Sequence, residues 1–136
     1  MSDRENGSVE TERRSYPRFS VEHSVELVDA AGGVFPTLTL DISLTGVQLL
    51  CDGPTAKRIS PGGEIPPGRP IKVQVRMRLQ DKRSAEPIRV QVDCNVISLR
   101  QVEEDEYRVG LKFIDFHGRS YDQLETYIDQ RAEVSE

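Results

Sequence analysis

Three arginines stand close together near the N-terminus, Arg13, Arg14 and Arg18, with Ser15, Tyr16 and Pro17 between the last two. A guanidinium presents parallel N–H donors that match a phosphate, or the O6 and N7 edge of guanine, and its flat face stacks on a base. Pro17 stiffens this segment and keeps Tyr16 extended. Further along comes Asp41-Ile42-Ser43-Leu44-Thr45-Gly46. Strand alternation puts Asp41 and Ser43 on the outside and Leu40 and Ile42 on the inside. Guanine's N1–H and N2–H need acceptors of the kind that Asp41 and Ser43 supply. Gly46 reads as a turn residue able to take positive φ, and as a place where backbone and ligand can approach closely. These residue types suit a small anionic ligand with guanine-like edges.

The elements that must hold them are short strands. Val21, His23, Val25 and Leu27 alternate with polar residues as a first strand, and Ala31-Gly32-Gly33 supplies a turn. A second strand is expected to face inward through Val34, Leu38, Leu40 and Ile42 and outward through Thr37, Thr39 and Asp41. Val47, Leu49 and Cys51 line a third. Residues 52–70 are dense in proline and glycine and read as a loop. Ile71 to Leu79 alternate without a fault, and residues 81–86 form a polar connection. Ile88, Val90, Val92, Cys94 and Val96 continue the inner face, where Val96-Ile97 breaks the period and predicts a bulge. After a turn at Glu103 to Glu106, Tyr107, Val109, Leu111 and Phe113 make a sixth strand. Tyr121, Leu124, Tyr127 and Ile128 recur at helical spacing and predict a helix over 120–132. Six such strands need closed edges. The expected fold is therefore all-β with one terminal helix: a six-stranded antiparallel β-barrel capped by a C-terminal α-helix. Residues 1–12 read as a disordered arm, 13–132 as the domain and 133–136 as a tail.

Composition narrows the function classes. The 136 residues suit one domain, and their net charge of −5 argues against a nucleic-acid polymer as partner. No run is long and apolar enough for membrane insertion, and no signal-type stretch opens the chain, so a cytoplasmic location is expected. Cys51 and Cys94 fall in register with apolar neighbours and read as reduced, buried thiols. His23 is placed in the barrel and His117 at the surface. No metal-ligand spacing and no nucleophile–base pairing appears, so neither a metal site nor an enzyme is expected. Arg76, Arg78, Arg108 and Lys112 point outward as a solvated sheet face.

Arg14-Ser15-Tyr16-Pro17-Arg18, Asp41-Ile42-Ser43-Leu44-Thr45-Gly46 and the closing Tyr107-Arg108-Val109-Gly110-Leu111-Lys112-Phe113 together resemble the PilZ domain family, over residues 13 to about 130. The resemblance implies the six-stranded barrel and binding of the second messenger cyclic di-GMP through Arg13, Arg14, Arg18, Asp41, Ser43 and Gly46, with no other cofactor. It also implies that the residue before the Arg-x-x-x-Arg pair selects between one bound ligand and a stacked pair. An arginine there, as Arg13 is here, favours two per chain. The expected output is contact with an unidentified downstream protein, after the ligand orders the arginine segment. The alternative is a PilZ-type interaction module whose main ligand is a protein. A barrel binding single-stranded nucleic acid is disfavoured by the net acidity and the lack of outward aromatic residues.

Overall fold

The computed structural model describes residues 19–20, 24–80 and 86–135. Its strands are β1 (Phe19–Ser20), β2 (Ser24–Val28), β3 (Val34–Ile42), β4 (Gly46–Cys51), β5 (Ile71–Leu79), β6 (Ile88–Glu103) and β7 (Glu106–Phe116), with helices α1 (Gly53–Ile59) and α2 (Ser120–Ser135). All pairings are antiparallel, in the order β3-β2-β5-β6-β7-β4, and β4 pairs back onto β3. That last pairing closes a six-stranded barrel, which removes the edges that an open sheet would leave. The two-residue β1 adds to β3 beyond the end of β2, with Phe19 opposite Ile42 and Ser20 opposite Asp41.

Alternation fills the barrel as the sequence predicts along β4 to β7. Val47, Leu49 and Cys51, then Val73, Val75, Met77 and Leu79, then Ile88 to Val96 at every second residue, and finally Val109, Leu111 and Phe113 are all buried. The expected bulge in β6 is present, as a register shift against β7 between Val96 and Ser98. Cys51 and Cys94 are free and buried, and desolvation pushes their thiols up to about 11 and about 12, aided by the neighbouring carboxylates of Asp52 and Asp93. Gly32 takes positive φ in the β2–β3 turn, where Asp29 accepts from the Gly33 and Ala31 amides. The Gly33 amide, ahead of a contact from Arg58, holds the Asp29 carboxyl below its usual range.

β3 departs from the expected pattern. Thr37 and Thr39 face inward and are buried, while Val34 and Leu38 are exposed. The pairing with β4 then slips between Thr39 and Asp41, so Leu40 is an inserted residue. One extra residue inverts the side-chain parity, which brings Ile42 into the core and leaves Asp41 on the outer side. Thr37 is tolerable inside because its hydroxyl donates to the Val25 carbonyl at 2.9 Å.

The expected loop at 52–70 begins with α1. Asp52 is its N-cap, accepting from Thr55 N–H at 2.9 Å, and Pro54 sits in the first turn, where its missing N–H costs nothing. Thr55, Ala56 and Ile59 are buried, and Arg58 ties the helix to the β2–β3 turn through Asp29 at 3.1 Å. α2 starts at the expected Ser120, runs on to Ser135, and buries Leu124, Tyr127 and Ile128. Its start is fixed by Ser120 Oγ, which accepts the Gln91 amide at 2.9 Å, and by edge-to-face contacts from Phe113 to Phe116 to Tyr121. No described helix is long and apolar enough to cross a membrane.

Hydrogen bonds from Thr55 hold the Asp52 carboxyl below its usual range. Its capping contribution is therefore present above the ordinary carboxylate pKa and is lost as pH falls through the lowered folded value. Asp52→Ala is expected to cost about 1 kcal/mol in urea denaturation at neutral pH, and Asp52→Asn, which still accepts a bond, much less. Equal losses for the two variants would remove the capping role.

Candidate ligand-binding site

The β3–β4 hairpin is built from the bulge outward. Asp41 follows the parity switch and lies partly exposed on the outer side, opposite Gln48 on β4 and Ser20 on β1. The register carries this outer surface across the next strands: Gln48 faces Gly110 on β7, Gly46 faces Lys112, and Lys112 faces Asn95 on β6. Their neighbours Val47, Leu49, Leu111, Cys94 and Val96 are buried, so alternation turns Gln48, Lys112 and Asn95 outward. A carboxylate, two amides and an ammonium thus share one strip beside the hairpin. Of these, alternation in the sequence identified Lys112 as outward, but only the register shows that it stands across from Gly46. Gln48 and Asn95 gave no signal in spacing, because their nearness to Asp41 depends on strand pairing.

Ser43 does not point outward as expected. It is buried, 1% exposed, and its groups hold the turn. Ser43 N–H donates to the Gly46 carbonyl at 2.9 Å, Thr45 N–H donates to Ser43 Oγ at 3.2 Å, and the two hydroxyls lie 3.1 Å apart. The strand has ended at Ile42, so its alternation no longer applies to Ser43. The turn is sewn to β7 by Phe113 N–H, which donates to the Thr45 carbonyl at 2.9 Å. Gly46 also differs from expectation, because it is not among the described glycines with positive φ, which are Gly32, Gly63, Gly68 and Gly118. Its lack of a side chain is required for another reason. A Cβ there would collide with the backbone carbonyl oxygen of Leu111, where β4 begins its pairing with β7. Arg13, Arg14, Arg18 and His23 lie outside the described residues, as do the arm at 1–12 and the connection at 81–85.

His117 is exposed, as expected, with Nε2 at 2.9 Å from Asp93 Oδ1 on β6. Gln74 Nε2 donates to the same oxygen at 3.0 Å. These two bonds, Gln74 first, hold the Asp93 carboxyl below its usual range. Among the described residues no group of three or more His, Cys, Asp or Glu side chains could hold a metal ion.

A closed six-stranded barrel, a Ser43-stapled Asp-x-Ser-x-x-Gly turn and a terminal helix coincide with a family-model match to the PilZ domain over residues 12–130. The chain belongs to the PilZ domain family. Solved structures share its fold at low identity. The Bacillus subtilis inhibitor of motility MotI/DgrA superposes with a TM-score of 0.64 at 15% identity, covering 91% of this chain and 53% of that one. MrkH of K. pneumonia, in complex with c-di-GMP, gives 0.61 at 18% identity, with 90% and 54% covered. YcgR of Escherichia coli, also in complex with c-di-GMP, gives 0.58 at 18% identity, with 90% and 47% covered. This PilZ chain spans about half the length of those structures. No curated protein matches it in sequence.

The two hairpin residues should answer to stability rather than to ligand alone. Gly46→Ala forces the Leu111 carbonyl away and is expected to cost about 1–3 kcal/mol. Ser43→Ala leaves the Thr45 amide and hydroxyl short of a partner and is expected to cost about 1–2 kcal/mol. Urea denaturation without ligand checks both, and wild-type midpoints would return Ser43 and Gly46 to a purely ligand-facing role.

Proposed function

We propose that this PilZ domain is a cytoplasmic receptor for cyclic di-GMP, held between the N-terminal arginine segment and the outer side of the β3–β4 hairpin, which passes its state by contact to a partner protein. The observation that carries this reading is the pairing of Phe19 with Ile42 and Ser20 with Asp41. Arg18 is one peptide bond from Phe19, a Cα step of about 3.8 Å, and Arg14 is at most about 14 Å further. A tether of that length lets both guanidiniums reach a dinucleotide seated at Asp41. MrkH and YcgR, which share this fold over about half their length and were solved in complex with c-di-GMP, support the same ligand class.

The division of labour follows from the chemistry. Arg14 and Arg18 serve phosphate oxygens and the O6/N7 edge of guanine, each in two parallel hydrogen bonds. Asp41 accepts from guanine N1–H and N2–H. Ser43 and Gly46 set the path of the turn that presents Asp41. Lys112, across from Gly46, adds a cation within the strip. Neutralising three clustered guanidiniums favours docking of the arginine segment, which changes the surface offered to a partner.

Calorimetric titration with cyclic di-GMP tests the reading. Arg14→Ala and Arg18→Ala are each expected to lose about 1.5–3 kcal/mol of binding per charge-assisted bond removed, with the far-ultraviolet circular dichroism unchanged. Asp41→Ala should weaken guanine dinucleotides more than adenine ones. Unchanged affinity in both arginine variants would refute the site.

Stoichiometry depends on Arg13. Two stacked dinucleotides bring four phosphates together, and a third guanidinium offsets their repulsion while covering a guanine face. Two ligands per chain are expected, falling toward one in Arg13→Leu without loss of binding. A wild-type ratio of one, or a Leu variant that still takes two, would contradict this role.

A further inference from the structure

We propose that the outer face of β2, β5 and β6 is a docking surface for an acidic segment of a partner protein, anchored by Arg76, Arg78 and Arg89. A groove of about 780 Å³ runs across these strands, lined by those arginines together with Glu26, Pro36 and His117 among others. In register, Arg78 lies directly opposite Arg89, and Glu26 lies opposite Arg76. Like charges directly opposed on one sheet face repel each other and weaken the pairing. Among the described residues, neither Arg78 nor Arg89 has an ion pair to offset this. An external carboxylate would relieve the repulsion, and the three arginines form a local basic patch on a chain whose net charge is −5.

The third arginine is already oriented. Arg76 Nε donates to Gln74 Oε1 at 3.1 Å, and the same oxygen accepts from Gln91 Nε2 at 3.1 Å. Gln74 is fixed in turn through Asp93, which also holds His117 at the rim. With Nε committed, the terminal nitrogens of Arg76 remain for an acceptor from outside.

The kind of partner follows from exposure. All three arginines are exposed, and an ion pair in that setting contributes little by itself. A single small anion would be held weakly, whereas one segment bearing several carboxylates adds such contacts together. A single-stranded nucleic acid would meet the same arginines but, among the described residues, no Phe, Tyr or Trp in the groove lining on which to stack its bases. Arg89 lies six residues along β6 from Asn95, the member of the hairpin strip on that strand, a rise of about 20 Å. The groove can therefore be filled while a ligand sits at the hairpin, which gives the partner proposed above a surface of its own.

The test is fluorescence anisotropy with a labelled oligoglutamate peptide on the full chain, at low and high salt. An oligoglutamine peptide and a single-stranded DNA of matched charge serve as comparison probes. Oligoglutamate should bind at low salt and be released at high salt, oligoglutamine should not bind, and DNA should bind more weakly. The double variant Arg78→Glu/Arg89→Glu should lose about tenfold or more in affinity for oligoglutamate. Arg100→Glu/Arg108→Glu, an equally opposed pair on β6 and β7, should lose little. Equal losses in the two double variants would show general charge attraction and overturn the proposal, as would tighter binding of the DNA. Binding that appears only after removal of residues 1–12 would assign the groove to the chain's own acidic N-terminus and overturn it too. Cyclic di-GMP titration of Arg78→Glu/Arg89→Glu should match the wild type, so failure of this surface is distinguishable from failure of the nucleotide site.

Discussion

The inserted residue at Leu40 is the constraint on which the rest depends. One strand, β3, must pair with β2 along its first half, with β1 near its end, and with β4 to close the barrel. A regular strand would have to keep one face inward throughout. The bulge lets Thr37 and Thr39 fill the barrel on one parity and Ile42 on the other, so that Asp41 emerges outside beside the hairpin. Without that slip, the same spacing would bury the carboxylate and expose Ile42. The outward position of Asp41, the proposed acceptor, is thus a consequence of barrel closure.

The turn after β3 works by the same economy. Ser43 satisfies the Thr45 amide and approaches its hydroxyl, Thr45 accepts from Phe113, and Gly46 lets β4 come close to the Leu111 carbonyl. Three residues of the motif therefore fix where the hairpin lies against β7. A rigid turn is what the role proposed for Asp41 requires, since a short side chain must be held in place to meet a planar base edge at hydrogen-bond distance. Motif residues that look like ligand contacts in a sequence can act one step back from the ligand.

Much of this fold was legible because half-buried strands carry period-two patterns. β5, β6 as far as its bulge at Val96–Ile97, and β7 follow it, and the apolar stripe of α2 follows the helical period instead. β3 did not, since threonine is a β-branched residue that can be buried when its hydroxyl finds a carbonyl, as Thr37 does. Ranking faces by hydrophobicity chose Val34 and Leu38, and both are exposed. α1 was hidden by Gly53 and Pro54, which read as breakers but are admissible in a first helical turn after an aspartate cap. At the site, Asp41's outward position was legible from alternation. The need for Gly46 was not, because the group it avoids belongs to a strand distant in sequence.

The central claim is that one ligand bridges the arginine segment and the hairpin. Amide hydrogen exchange with and without cyclic di-GMP tests it most directly, since it reports where along the chain the backbone is held. The account predicts slower exchange in residues 13–20 and 41–46 on addition of the nucleotide, with β5 and β6 little changed. Binding accompanied by protection elsewhere, and none in 13–20, would contradict it.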